Sequence, residues 1–198
     1  MPVPARRSMP TARLSRLTLL VAGVTLPGLA SAHVGDGLAD HLHALTGLDH
    51  AVALLALGLW CARGGPAVRR VLPALVVTVI VAAAWLGAGA GGGMFVEAAI
   101  ASTLLVLGLL VATGTRAALA PAGAMAVTFA VVHGFAHGAL VPTGGAALGF
   151  LASLAAGSAA LVALGILVGR WLGRRPEVVS RLVGLGIAGG GAALLGAL

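Results

Sequence analysis

Lysine and tyrosine are absent from this chain of 198 residues, cysteine occurs once, and only five side chains are acidic. Each shortage closes a class of function. The single thiol, Cys61, excludes an intrachain disulfide and offers no thiolate cluster for structural zinc or copper(I). Aromatic residues make up 4% of the chain and do not interleave with the basic ones, so a net charge of +7 and a pI near 11.9 do not describe a nucleic-acid surface. The all-arginine basic set, with abundant alanine and glycine, reflects base-composition bias more than chemistry. No phosphate-cradling loop is present, so no nucleotide is expected as substrate or energy source.

What is present is hydrocarbon. Hydrophobic residues reach 60%, charged residues only 9%, and the mean hydropathy is +1.10, which marks an integral, all-α, polytopic protein whose first partner is the lipid bilayer. Residues 1–32 read as a cleaved signal peptide: Arg6, Arg7, Arg13 and Arg16 precede a short apolar core from Leu17 to Leu29, and Ala30-Ser31-Ala32 forms a small-residue cleavage box. Cleavage leaves His33 at the mature N-terminus, outside the cytoplasmic membrane. Residues 33–198 then form a single domain of six transmembrane helices.

Those helices are expected near 44–62, 68–90, 94–114, 117–140, 146–171 and 178–197. The breaks are Gly64-Gly65-Pro66, the run from Gly87 to Gly93, Thr113 to Thr115, Pro142 to Gly145, and Arg174-Arg175-Pro176. Charge tests the division independently. Arg63, Arg69 and Arg70 fall in or beside the first connection, Arg116 in the third, and Arg170, Arg174, Arg175 and Arg181 around the fifth, while the second and fourth carry none. Every mature arginine thus lands on one side, as the positive-inside rule requires for an N-out, C-out protein. Gly134/Gly138, Gly165/Gly169, Gly169/Gly173 and Gly186/Gly190 have the spacing that lets helices approach closely in lipid.

Ionisable groups inside such segments are costly, and their default reading is functional. Asp49 and His50 open the first helix, His133 and His137 stand near the end of the fourth, and Glu97 opens the third, so all share one depth in the outer half. At four residues' spacing, His133 and His137 lie on one helix face within reach of one ion. Asp49 and His50 can add a carboxylate oxygen and an imidazole nitrogen from another helix. Imidazole suits nickel, cobalt, copper, zinc and iron. Asp36, Asp40, His41 and His43 form an acidic, histidine-bearing approach, and a free amine on His33 would add a further chelate. Plain structural roles compete: Thr46-x-x-Asp49 fits a capping box, Glu97 fits a helix-start acid, Trp60, Trp85 and Trp171 fit packing or interface positions, and Ser102, Thr103 and Ser158 fit back-bonding to their own helices.

The stretch His43-Ala44-Leu45-Thr46-Gly47-Leu48-Asp49-His50, followed by Leu54, Ala56 and Gly58-Leu59-Trp60, resembles the HPxxGxDH signature of the HupE/UreJ family. Val96-Glu97-Ala98-Ala99-Ile100-Ala101-Ser102 is similar to that family's third-helix segment, and His133-Gly134-Phe135-Ala136-His137-Gly138 to its HGxAHG motif. The resemblance implies a small secondary permease of the bacterial cytoplasmic (inner) membrane, associated with nickel-enzyme maturation for hydrogenase and urease. It also implies that His43, Asp49, His50, His133, His137 and Glu97 handle the metal. Ala44 stands where the family has proline, Leu140 where it commonly has glutamate, and Ser158 where it often has histidine, so a thinner polar site is expected here.

The function expected from these readings is uptake of a divalent transition-metal ion, nickel or cobalt, from the outer face, with no permanently bound cofactor. Two other classes are compatible with the residues. A membrane-embedded metalloenzyme would use the same ligands to activate water, with Glu97 as general base. A non-transporting accessory scaffold would use the polar side chains only to join helices.

Overall fold

In lipid, a spanning segment must satisfy its backbone polar groups internally, and the apolar runs of this chain do so as helices. The computed structural model describes residues 47–90, 93–116 and 118–198. Among them run six helices: α1 Leu48–Ala62, α2 Pro66–Leu86, α3 Met94–Thr113, α4 Leu119–Gly138, α5 Ala146–Leu172 and α6 Glu177–Gly196. The breaks carry the expected chemistry. Pro66 starts α2, where its missing N–H costs nothing. Gly114 ends α3 in the left-handed conformation at φ 71°, and its N–H returns to the Val111 carbonyl. The expected leader over residues 1–32 lies outside the described residues, as do His33, His41 and His43.

Helices α2 to α6 are each long and apolar enough to cross a membrane, which makes this a multi-pass membrane protein. Of the six expected spans, α1, expected from residue 44, is the one whose described length falls short of a full crossing. It has 15 residues and extends about 22 Å, against about 30 Å of hydrocarbon. Its surroundings explain how a short helix is tolerated. From Ala53 to Cys61 every residue except Leu55 is buried, so α1 is enclosed by protein and need not match the lipid thickness. The other helices turn bulky side chains outward, Leu86, Phe95, Leu148 and Leu167 among them, as lipid-facing surfaces do.

Lipid supplies no hydrophobic drive for helix association, so close packing must supply it. The bundle is built from three such close pairs. In α1 and α5, a Cβ at Gly58 would strike the Val162 carbonyl, and one at Gly165 would strike the Leu55 carbonyl. In α2 and α4, Gly134 lies against the Ile80 carbonyl and Gly138 against the backbone of Gly87. In α3 and α6, Gly108 meets Ala188 and Gly184 meets Ala112. Residue numbers rise together in the first two pairs and run oppositely in the third, so α1/α5 and α2/α4 are parallel and α3/α6 is antiparallel. All three registers fit a chain that alternates direction at every connection. Gly134/Gly138 and Gly165/Gly169 are therefore working contacts, whereas Gly186 and Gly190 face open space and Gly184 with Gly191 make the α6 contact instead.

The alternation separates chemistry by end. One end gathers Arg63, Arg69, Arg70, Arg116, Arg170, Arg174, Arg175 and Arg181; there Arg63 approaches Gly114, and Glu177 pairs with Arg181 at 2.9 Å. The opposite end gathers the start of α1 and the end of α4, and with them the histidines.

Candidate metal-handling site

The buried stripe of α4 runs Ala122, Ala126, Ala130, His133 and His137. Small residues let α4 sit close to its neighbours, and the last two positions of the stripe carry imidazoles into the interior. His133 is 4% exposed and His137 6%. From α1, His50 in the opening turn meets both. Its ring centroid lies 5.1 Å from that of His133 at an interplanar angle of 79°, and 4.8 Å from that of His137 at 54°. Two helices thus bring three imidazoles together, as the spacing in the sequence suggested.

Their hydrogen bonds fix the protons. His50 Nδ1 lies 3.0 Å from Asp49 Oδ1, and His133 Nδ1 lies 2.8 Å from the Phe129 carbonyl oxygen. A carboxylate and a carbonyl only accept, so in the neutral rings Nδ1 carries the proton and Nε2 is left with a bare lone pair. His50 Nε2, His133 Nε2 and His137 Nδ1 are all buried without a hydrogen-bond partner. Leaving such a group unpaired costs about 1–3 kcal/mol each. A bare imidazole nitrogen is complemented by a hydrogen-bond donor, a proton or a Lewis acid.

The arrangement stops short of a coordination sphere. Among the described residues no group of three or more His, Cys, Asp or Glu side chains is placed to hold a metal ion. His50 meets His133 edge to face and His137 at a tilt, so an ion would have to reorient the rings to bind more than one of them. Asp49 Oδ1 accepts from both His50 Nδ1 and the His50 backbone N–H, at 3.0 and 2.9 Å. This is the carboxylate–histidine arrangement that sets a ligand's tautomer and orientation. The N-cap of α1 is Gly47, with no side-chain cap hydrogen bond, and Thr46, the other half of the expected capping box, lies outside the described residues.

Glu97 is exposed in the first turn of α3 and takes no part in the imidazole contacts. Leu140 is also exposed. Ser102 and Thr103 bond back to the carbonyls of Ala98 and Ile100, both at 2.7 Å. Trp60 is buried with its indole N–H on the Thr115 carbonyl, while Trp85 and Trp171 are exposed, the latter beneath the Arg175 guanidinium at 4.4 Å.

Ser158 is where residue-by-residue reading fell short. It is 2% exposed, makes no back-bond to its helix, and lines a small void with His50 and His137. The signal was present in the sequence. On the buried face of α5, Leu151, Leu154, Ser158, Val162 and Gly165 recur at three- and four-residue steps, and Ser158 is the polar member among them.

Comparison with known proteins identifies the family. The sequence profile described as HupE / UreJ protein matches residues 19–194. Protein HupE of Rhizobium leguminosarum bv. viciae is 37% identical over 188 residues, covering 92% of this chain and 98% of that protein. No solved structure matches. With its profile match across nearly the whole length and its motif histidines gathered at one end of a six-helix bundle, the chain belongs to the HupE/UreJ family.

Proposed function

We propose that this protein is a permease that admits a divalent transition-metal ion, nickel or cobalt, at the imidazole end of the bundle. The observation that carries the reading is the contact of His50 with both His133 and His137, each ring holding a buried nitrogen with no partner, beside the Asp49 carboxylate. Nitrogen donors without thiolates suit a borderline divalent ion, and an adjacent carboxylate offsets part of its charge. The absence of a ready three-ligand group among the described residues favours passage over storage, because conduction needs binding strong enough to admit an ion and weak enough to release it.

The arginine-rich end faces the cytoplasm in this reading, so the imidazole end faces outward and both ends of the six-helix domain lie outside, after a cleaved leader. A doubly charged ion moving inward gains about 4.6 kcal/mol per 100 mV, twice the value for one elementary charge. That gain drives uptake without a nucleotide, and a nickel-enzyme maturation system is the expected consumer. His43 and His41 would stand at the approach. The exposure of Glu97 favours a permease over a metalloenzyme, which would need that carboxylate beside the ligands.

Uptake into proteoliposomes tests the reading. Protein-containing vesicles should accumulate Ni2+ or Co2+ under an inside-negative potential, and His50→Ala or His137→Ala should each reduce the initial rate by about tenfold or more. Unchanged accumulation in both variants removes the proposed site.

A further inference from the structure

Two small voids flank the imidazoles. The first is lined by His50, His137, Ser158, Leu154 and Leu54. The second lies deeper along α1 and is lined by His133, Leu57, Val76, Leu107, Phe129 and again Leu54. The histidines are divided between them: His137 faces the first, His133 faces the second, and His50 touches both rings. Leu54 is the one side chain common to both linings, so the void beside the His50/His137 pair and the void beside His133 border on the same aliphatic residue. Leu54 sits one turn beyond His50 on α1 and is 7% exposed.

We propose that Leu54 is the hydrophobic gate of the permeation route, standing on both voids so that its displacement lets an ion pass from the His50/His137 pair to the His50/His133 pair and into the second void. This rests on the permease reading, since a barrier between two voids is a gate only if an ion crosses it. The physical basis is dewetting. A hydrated ion cannot shed its water against a leucine, whereas an ion handed between imidazoles exchanges one nitrogen for another once the leucine swings aside. The second void, with His133 as its polar group, gives the ion little to bind. It is a place to pass through.

The test places a reporter thiol in the second void and uses Cd2+ alone as probe. In a Cys61→Ala background, Ala130→Cys lines the second void beside His133, and cadmium–thiolate absorbance reports arrival at it. Capture should be slow with Leu54 in place and about tenfold faster with Leu54→Ala, with Leu54→Val between the two and available should the alanine variant not fold. Ala53→Cys, on the same void, repeats the measurement from the opposite wall. Leu172→Ala, at a buried leucine that lines neither void and sits at the far, arginine-bearing end of α5, controls for general loosening and should leave the rate unchanged. Equal rates for Leu54 and Leu54→Ala, or equal acceleration by Leu172→Ala, overturn the gate. Ni2+ uptake by vesicles carrying the native sequence is measured alongside. Uptake no greater than in protein-free vesicles overturns the permease reading whatever the cadmium rates, while uptake with a cadmium rate indifferent to Leu54 overturns the gate alone.

Discussion

The carboxylate of Asp49 makes two bonds through one oxygen, to the His50 backbone N–H and to the His50 ring, and it therefore decides which nitrogen of His50 is free. That role separates two substitutions that would otherwise look alike. Asp49→Asn keeps an oxygen where Oδ1 lies and so keeps the tautomer, but it removes the negative charge beside an arriving cation. Asp49→Ala removes both and lets the ring turn. Second-sphere partners of metal-bound histidine are typically worth 10–100-fold in affinity, so Ni2+ binding should weaken about tenfold in the first variant and about a hundredfold in the second. Equilibrium dialysis of the purified proteins against nickel chloride measures this. Native affinity in Asp49→Ala would rule out any orienting role. Ser158 belongs to the same scale: it is the polar residue of the fifth helix on the void that His50 and His137 also line.

Among the elements, the pairing of helices is decided by where a missing side chain lets backbones touch. Gly58 and Gly165 face each other across α1 and α5, so a methyl group at Gly58 has no room. Gly58→Ala should destabilise the bundle by about 1–3 kcal/mol, the usual cost of forcing extra volume into a packed contact. Gly186→Ala, on a face with nothing within 4 Å, should be neutral or gain up to about 1 kcal/mol from the better helix former. Thermal unfolding in detergent distinguishes them, and equal midpoints would mean that the α1/α5 contact contributes nothing. Helix positions were legible in the sequence because hydropathy and the Gly/Pro/Arg breaks act locally. The pairing was not, because GxxxG spacing arises freely among 31 glycines and only contact separates Gly165/Gly169 from Gly186/Gly190. The histidines could be placed because four-residue spacing fixes one helix face. Glu97 could not, since α3 is apolar on all sides and its pattern carries no rotational phase to say which way a lone carboxylate points. The length of α1 was equally hidden: a helix enclosed by others is freed from the lipid thickness, and enclosure is a property of the assembled bundle.

The whole molecule is a dipole of residue types, with eight described arginines at one end and, at the other, the imidazoles with Asp49 and Glu97. At the arginine end Glu177 is the acid present among the described residues, and it is spent on Arg181. This asymmetry is a statement about orientation, because arginine-rich connections are retained in the cytoplasm during insertion and acids contribute little to the choice. Orientation in turn decides the sign of the function. Under the proposed permease reading, an inside-negative potential would pull a captured cation through a bundle whose imidazole end is outward; inverted, the same side chains would collect ions from the cytoplasm and the potential would oppose their exit. Reporter fusions read the difference directly. Alkaline phosphatase, active only outside the cytoplasm, should be active when joined after α6 or in the connection at Pro142–Gly145, and inactive when joined in the connection at Arg174–Pro176. A fluorescent protein that matures only inside should give the reverse pattern. Phosphatase activity at Arg174–Pro176 with none after α6 would invert the bundle, and an inverted bundle could not serve potential-driven uptake through His50 and His137.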